Sequence, residues 1–224
     1  MFESENEFVD SFVGSVAPSL WSRTYRGKAV RVVYESDCSD GRADWVWARS
    51  AGKWPRSWSE RTAEVLQNPT CSRILAYLKL SSPRSNDFLR LRVGVSSLTF
   101  DRSVRDLVDV DLVRETKGQL FLLSPKADIP EVEICAFEFK LADWKRAFYQ
   151  ATRYRSFAHR VYVVLPEPII RRTEKQWGAF QRQNVGLIAF DENTGARRVL
   201  TSNKRMPRSR SSFFQALGML HQSG

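Results

Sequence analysis

The chain has few of the side chains that hold zinc or form disulfides. It contains three cysteines, Cys38, Cys71 and Cys135, which are far apart and form no CxxC pair. This odd and unpatterned set argues against a disulfide scaffold and against a zinc ribbon. The only histidines are His159 and His221, so three-histidine zinc hydrolases and HExxH proteases are excluded. Any bound metal must therefore be held by carboxylates, which favours Mg²⁺ or Mn²⁺.

Long apolar runs are also missing. No stretch approaches the roughly 20 apolar residues that a membrane helix needs. Residues 1–10 are acidic and lack the apolar core of a signal peptide. The 224 residues are 42% hydrophobic and 27% charged, a composition typical of a globular protein with a core. We therefore expect a cytoplasmic, nucleoid-associated protein of a bacterium or phage, with no membrane partner.

Negative charge is scarce in the C-terminal part of the chain. The formal net charge is +10 and the pI is about 9.8. Residues 140–224 contain 16 Lys and Arg against 5 Asp and Glu, whereas residues 1–139 contain 19 against 20. A basic region on a near-neutral body predicts a polyanionic partner, which we expect to be DNA, with RNA left open. The alternative is a basic surface that only maintains solubility.

The hydrophobic periodicity predicts an α/β core with a mixed sheet. The predicted N-caps Ser4 and Asp143 begin two of its helices. The basic segment 203–212 is predicted to be a mobile tail. The expected elements are helices over residues 4–21, 143–158, 169–183 and 212–220, strands over 28–35, 42–49, 132–140, 160–165, 185–190 and 196–200, and turns at 36–41 and 191–195.

Residues 66–125 have a different pattern. Three short helices near 70–79, 86–93 and 98–109 are followed by a strand, a Lys-Gly turn and a second strand, which is typical of a winged helix-turn-helix. The third helix contains several aspartates, which are unfavourable in a DNA groove. DNA docking by this segment and a protein-contact or shape-supporting role therefore both stay open. The aspartates are Asp101, Asp106 and Asp109, and the candidate DNA contacts are Arg84, Arg90, Arg92, Arg114 and Lys117.

Charged and polar residues cluster around the strand predicted over 132–140. Glu138 and Lys140 have the i, i+2 spacing that places side chains on one face of a strand. Two charges at the end of a buried strand are costly unless they are paired or bind something, and a simple Glu–Lys ion pair is one explanation. Gln150 and Tyr154 share a face of the next helix at i and i+4. Asp44 lies in a strand interior, where aspartate is disfavoured.

These residues together resemble the PD-(D/E)XK nuclease superfamily, and more narrowly its branch with a QxxxY helix. The matching text is RADWVWA followed by AFEFKLADWKRAFYQATRYRSFAHRVYVVLP. The resemblance implies a restriction-endonuclease-like mixed sheet flanked by helices, formed by residues 1–65 and 126–224. Residues 66–125 would then be an inserted winged-helix domain. It also implies hydrolysis of DNA phosphodiester bonds with Mg²⁺ or Mn²⁺.

The resemblance assigns a role to each residue of the motif. Two carboxylates, Asp44 and Glu138, would hold the metal together with the backbone carbonyl of Phe139. Lys140 would orient the attacking water or stabilise the negative charge that develops at phosphorus. Gln150 and Tyr154 would position the phosphate or the nearby strand, although Tyr154 also lies on the apolar stripe of its helix and core packing is the alternative. The predicted catalytic residues are Asp44, Glu138, Lys140, Gln150 and Tyr154, and the predicted DNA contacts are Lys145, Arg146, Arg153, Arg155, Arg171 and Arg172, for which a solvated helix face is the alternative.

The chain departs from the family pattern in two places. The family's proline before the aspartate is Ala43, and 94 residues separate Asp44 from Glu138, a gap that the insert would fill. Asp128 fits the usual spacing better, but Pro130 and the short gap leave little room for a separate strand, so we favour Asp44. Such nucleases often also use a glutamate on the first helix. The candidates are Glu5 and Glu7 and, on the first strand, Glu35.

Two other functions fit the same sequence. A catalytically inactive DNA-binding or assembly subunit would keep the fold without cleaving DNA. A structural or interaction protein, as a homodimer or in a larger complex, would expose an apolar patch around Phe213, Phe214 and Leu217. Trp54 and Trp58 are candidates for stacking on the bases of a single strand, but packing in the core or in a loop is the interpretation we favour.

Overall fold

A computed structural model describes residues 2–16, 30–38, 41–50, 54–116 and 120–223. It shows a mixed α/β protein, as the sequence predicts, with a mixed sheet flanked by helices. No helix in these ranges is both long enough and apolar enough to span a membrane. The elements in chain order are α1 (Glu5–Val16), β1 (Val30–Cys38), β2 (Gly41–Ser50), α2 (Glu60–Gln67), α3 (Pro69–Tyr77), β3 (Arg84–Ser85), α4 (Asn86–Val93), α5 (Ser97–Asp109), β4 (Val113–Thr116), β5 (Leu120–Leu123), β6 (Val132–Phe139), α6 (Trp144–Arg153), β7 (Arg160–Pro166), α7 (Glu167–Ile170), α8 (Trp177–Gln183), β8 (Val185–Asp191), β9 (Gly195–Leu200) and α9 (Arg210–Gln222).

The larger sheet has six strands in the order β1-β2-β6-β7-β8-β9. Strands β6, β7 and β8 run parallel, and the pairs β1–β2, β2–β6 and β8–β9 are antiparallel. Every residue of β6 is buried, because helices cover both faces of this central strand. Its apolar residues alternate between the two faces, as the period of a strand requires.

Each face of the sheet has its own hydrophobic cluster. On one face α1 packs Phe8 and Phe12 against Phe137 and Phe139 of β6, and Phe12 meets Phe139 edge to face with ring centroids 5.1 Å apart. Burial of each such ring contributes about 1.5–3 kcal/mol. The other face carries small residues such as Ala136 and contacts α6 and α9 together with the segment from α2 to β5.

The helix α9 closes the second cluster. Phe214 and Leu217 are buried and Phe213 is half-buried, so these residues form part of the core rather than an exposed apolar patch. The indole N–H of Trp54 donates to His221 Nδ1 at 2.9 Å, and Trp58 is also buried. Core packing of both tryptophans, the favoured interpretation, is therefore confirmed, and the apolar patch expected of an interaction protein is absent from this described segment.

Several expectations about local structure need correction. Strand β1 continues through Cys38 and β2 begins at Gly41, so residues 36–38 and 41 of the predicted turn belong to strands, and residues 39–40 lie outside the described residues. The helix predicted over 169–183 is broken into α7, a 3-10 turn over 171–176 and α8. The helix predicted over 143–158 ends at Arg153 and continues as a 3-10 turn over 154–156. Asp143 caps α6 as predicted, and its carboxylate accepts the Arg146 N–H at 3.0 Å.

The predicted tail at 203–212 is not free of the body. The main-chain N–H groups of Arg205, Arg208 and Ser209 donate to the carbonyls of His159, Arg155 and Ser156, respectively, at 2.9–3.1 Å. Three backbone hydrogen bonds over five residues hold this segment beside the end of α6. Its polar composition favours a loop, but local composition does not report these long-range hydrogen bonds.

The segment from α3 to β5 contains the three predicted helices and both predicted strands. Its strands form a separate sheet in the order β3-β5-β4, and the Lys-Gly turn between β4 and β5 lies outside the described residues. Helix α2, which the sequence pattern does not predict, spans the boundary expected between residues 65 and 66. Its capping box is formed by Ser59 and Thr62.

We expect Gly218→Ala to destabilise the protein because α9 approaches α2 closely there. A Cβ at Gly218 would lie 2.5 Å from the Ala63 carbonyl oxygen and 2.9 Å from Leu66 Cβ. Overpacking of this kind costs about 1–3 kcal/mol. The matched control is Gly14→Ala in α1, where no atom of another described element lies within 4 Å, and it should stabilise by up to about 1 kcal/mol. Urea unfolding measures both, and equal effects at the two glycines would contradict the packing of α9.

Candidate active site

The candidate site forms where β2 and β6 stop pairing. Their ladder ends at Trp45 opposite Phe137, so Asp44 and residues 138–140 lie beyond the last pair. There the Phe139 N–H donates to Asp44 Oδ2 at 2.7 Å. The Asp44 carboxylate thus accepts a hydrogen bond that a strand carbonyl would accept in a continued ladder. This contact brings Asp44 beside the peptide bond between Glu138 and Phe139.

Glu138 is the most buried acid of this site, with no exposed surface. Its Oε2 lies 2.5 Å from the Tyr154 hydroxyl. Its Oε1 lies 3.5 Å from Lys140 Nζ, but it makes no hydrogen bond. Burial, followed by the charge of Asp44, raises the pKa of Glu138 to about 7, against the opposing effects of Tyr154 and Lys140.

The Tyr154 hydroxyl contacts two oxygen atoms but has one hydrogen. It lies 2.5 Å both from the Arg42 carbonyl oxygen and from Glu138 Oε2. The carbonyl can only accept a hydrogen bond, so both contacts are satisfied together when Glu138 carries a proton and donates it to the tyrosine. Tyr154 is therefore both buried in the core and in contact with the candidate site.

Asp44 and Lys140 show opposite balances between burial and charge. Burial raises the pKa of Asp44, although the Phe139 N–H and the Lys140 charge oppose it. Burial lowers the pKa of Lys140, but the hydrogen bond that Lys140 donates to Glu5 and the charges of Asp44 and Glu138 outweigh it, so the net shift is upward. Lys140 therefore keeps its positive charge among three acidic side chains at neutral pH.

The structure distinguishes the three candidate glutamates. Glu5 Oε2 lies 2.8 Å from Lys140 Nζ, so α1 contributes an acid directly to the site. Glu7 instead accepts the Glu3 N–H at the start of the helix. Glu35 forms an exposed ion pair with Arg42. Their sequence positions alone do not separate Glu5 from Glu7, because the difference depends on how α1 docks on the sheet.

Gln150 and Asp128 have contrasting positions. Gln150 lies on α6 one turn before Tyr154, and its side-chain Oε1 is buried without a hydrogen bond. Such a group costs about 1–3 kcal/mol unless a further partner binds it. Asp128 is exposed and follows a 3-10 turn with a φ of 43°. Of the two aspartates, Asp44 is the one whose carboxylate contacts β6.

The predicted DNA contacts do not all face solvent. Arg155 is buried, and its Nη1 donates to the carbonyls of Ala158 and His159 at 3.1 and 2.7 Å. This anchors the chain after α6 and removes Arg155 from the candidate interface. The other five predicted cations are exposed, namely Lys145, Arg146, Arg153, Arg171 and Arg172.

The two sides of the site differ in charge. On the α1 side, an open depression of about 480 Å³ is lined by four acids, Glu5, Asp10, Glu35 and Asp44. On the α6 side, Arg153 lies close to Gly41 and the ring of Tyr154, since a Cβ at Gly41 would be 3.6 Å from its Cζ. A polyanion would therefore be repelled on the first side and attracted on the second.

The described residues contain no group of three or more His, Cys, Asp and Glu side chains arranged to hold a metal ion. The site offers two carboxylates, Asp44 and Glu138, beside the main chain of Phe139. Comparison with known proteins gives no match for this chain among family models, curated proteins or solved structures. The chemistry of the site must therefore be argued from its own residues.

Proposed function

We propose that the chain is a metal-dependent nuclease of the PD-(D/E)XK type, in the QxxxY branch, that hydrolyses DNA phosphodiester bonds with Mg²⁺ or Mn²⁺. The observation that carries the proposal is the state of Glu138. Its carboxyl group is fully buried, has one oxygen without a hydrogen bond, and lies in a site shared with Asp44 and Lys140. Burial of an acid in this way is costly and is typical of a functional site.

The arrangement of elements supports the same family. Helix α1, the hairpin β1–β2, the E-x-K strand β6, helix α6 and strand β7 follow one another in the order that the resemblance implies, with the segment from α2 to β5 between β2 and β6. Asp44 contacts β6 although its position in the sequence is 94 residues before that of Glu138. The long gap therefore does not prevent the aspartate from reaching the E-x-K strand.

The residues present fit a hard divalent cation. Asp44, Glu138 and the carbonyl of Phe139 would supply oxygen ligands, which Mg²⁺ and Mn²⁺ prefer, and water would complete the set. Glu138 Oε1, which accepts no hydrogen bond from the described residues, is the atom that a bound cation would satisfy. When bound, the cation would act as a Lewis acid at the phosphate and lower the pKa of a coordinated water.

The remaining side chains would act on the substrate. The Lys140 ammonium is positively charged, and Glu5 holds it at 2.8 Å, so it is placed to orient a water or to stabilise negative charge at phosphorus. Gln150 has a buried oxygen without a partner on the same helix as Arg153. Tyr154 holds Glu138 Oε2 and thereby orients the carboxyl group.

We further propose that the segment from α3 to β5 is a winged helix-turn-helix that helps to grip DNA. Its order of helix, strand, two helices and two strands, with a three-stranded sheet, supports this assignment. The aspartates of α5 are less unfavourable than their sequence suggests. Asp101 pairs with Arg90 at 2.6 Å and Asp106 with Arg61 at 2.7 Å, whereas Arg102 and Arg105 are exposed on the helix.

The proposed function is tested by cleavage and by metal binding in parallel. We expect plasmid DNA to be cut with Mg²⁺ or Mn²⁺ and to stay intact in EDTA. In calorimetric titration with Mn²⁺, Asp44→Asn should weaken binding at least about tenfold, because it removes a charged oxygen ligand. The matched control is Asp128→Asn, which removes an exposed carboxylate and should bind Mn²⁺ like the wild type.

The same titration separates the nuclease from an inactive DNA-binding subunit. A wild-type protein that binds DNA but gives no heat with Mn²⁺ and no cleavage would favour the inactive subunit. An effect of Asp128→Asn equal to that of Asp44→Asn would contradict the assignment of the motif aspartate.

A further inference from the structure

A basic depression lies on the α6 side of the candidate active site. It has a volume of about 500 Å³ and is open to solvent, and we call it the Arg208 pocket. Its hydrogen-bonding groups include two guanidinium groups and a serine hydroxyl. The Arg208 pocket is lined by Phe148, Thr152, Arg153, Ser156, Gln183 and Arg208.

Three chain segments distant in sequence line the pocket, and two of them supply its arginines and its serine. Arg153 and Ser156 come from the end of α6 and the 3-10 turn after it, whereas Arg208 comes from the basic segment before α9. The N–H of Arg208 donates to the Arg155 carbonyl at 2.9 Å and that of Ser209 to the Ser156 carbonyl at 3.0 Å. The position of Arg208 is therefore fixed by main-chain hydrogen bonds that do not depend on its side chain.

The pocket has positive charge without compensation. Within the described ranges, no acidic side chain forms an ion pair with Arg153 or Arg208. Arg205 and Arg208 also lie close enough to the buried Arg155 for their charges to add to the effect of burial in lowering its pKa to about 10. The Ser156 hydroxyl is buried and makes no hydrogen bond. Like charges held together beside this hydroxyl form a surface that favours an anion.

We propose that the Arg208 pocket binds an internal phosphodiester of the DNA strand that occupies the active site. Guanidinium groups offer paired N–H donors that match the oxygens of a phosphate, and the Ser156 hydroxyl offers a further donor. Arg153 connects the two places, because it lines the pocket and lies beside Tyr154, which contacts Glu138. The identity of the polyanion as DNA rests on the proposed function.

The test is DNA binding measured by fluorescence anisotropy in EDTA, where cleavage does not occur, over a series of salt concentrations. We expect Arg208→Ala to weaken binding about tenfold and to lower the slope of log K against log salt by about one, the loss of a single phosphate contact. The matched control is Arg205→Ala, which removes the same charge three residues away from outside the pocket lining and should weaken binding less than about threefold. Far-ultraviolet circular dichroism checks that both variants fold.

Equal losses in Arg208→Ala and Arg205→Ala, or wild-type binding by Arg208→Ala, would overturn the phosphate site. Absence of DNA binding by the wild type, in EDTA and in Ca²⁺, would overturn it too. The proposed function can fail separately. If DNA binding depends on Arg208 but the wild type never cuts DNA with Mg²⁺ or Mn²⁺, the phosphate site is supported and the nuclease function is contradicted. If the protein is a nuclease and Arg208→Ala cuts and binds DNA as well as the wild type, only the phosphate site is contradicted.

Discussion

Glu138→Gln is expected to lower DNA cleavage about 10³-fold or more with either Mg²⁺ or Mn²⁺. The amide has almost the same shape as the carboxyl group, so the contact with Tyr154 is preserved while the negative charge is removed. Metal-assisted stabilisation of the transition state contributes several kcal/mol, and each 1.36 kcal/mol corresponds to about a factor of ten in rate. Initial rates on a labelled duplex at saturating metal measure the effect.

The matched control for this variant is Glu131→Gln. Glu131 is an exposed acid that directly precedes β6, so the substitution removes the same charge from the other end of the same strand. It should cleave DNA at the wild-type rate. Cleavage by Glu138→Gln within about tenfold of the wild type would remove Glu138 from the active site, because a loss that small requires only altered packing.

The same Glu138→Gln substitution is expected to stabilise the metal-free protein at alkaline pH. The pKa of Glu138 is about 7 in the folded protein against 4.5 in the unfolded chain. Between these values the folded state holds the proton more strongly, so the contribution of Glu138 to the free energy of unfolding falls as pH rises from 4.5 to 7. At pH 8 the variant should be more stable than the wild type by up to about 3 kcal/mol.

Urea unfolding in EDTA at pH 4.5, 6 and 8 measures this difference. Comparing the two proteins at each pH cancels the titration of groups that they share. The gain should be small at pH 4.5 and should grow to its full value above pH 7, whereas Glu131→Gln should show no such growth. A gain that is constant with pH would mean that packing, and not the buried charge of Glu138, explains it.

Together these two expectations describe a trade between activity and stability. We expect Glu138 to destabilise the metal-free protein above neutral pH, because its charge is buried beside Asp44. In the proposed function, a bound cation would coordinate Glu138 Oε1, which makes no hydrogen bond with the described residues, and would neutralise this charge. We therefore expect Mn²⁺ to stabilise the wild type at pH 8 more than it stabilises Glu138→Gln.

The sequence predicts the core strands and the position of the charged pair at the end of β6 well, because both depend on local patterns. Strand β6 reads as an apolar run that ends in Glu138 and Lys140, and the cap of α6 by Asp143 follows from its position. The local sequence pattern does not predict the break of the helix after Ile170. Residues 171–176 are polar and compatible with an α-helix by composition. Their 3-10 conformation therefore reflects the folded context, which overrides local helix propensity.

What the sequence determined by itself is the mixed α/β order of elements, the face shared by Glu138 and Lys140, and the basic character of residues 140–224. These features need only the periodicity of side chains and a count of charges. Only the tertiary structure decided that Asp44 contacts the peptide of Phe139 and that Glu5, rather than Glu7, pairs with Lys140.

The tertiary structure also decided which arginines are buried, which are paired with acids and which face solvent. It buried Arg155 against main-chain carbonyls, paired Arg90 and Arg61 with the acids of α5, and anchored Arg208 beside Arg153. In a charge count from the sequence, each of these arginines contributes the same single positive charge. The reason they differ is that burial and ion pairing depend on contacts between residues far apart in the chain, which set whether a charge faces water, an acid or an open depression.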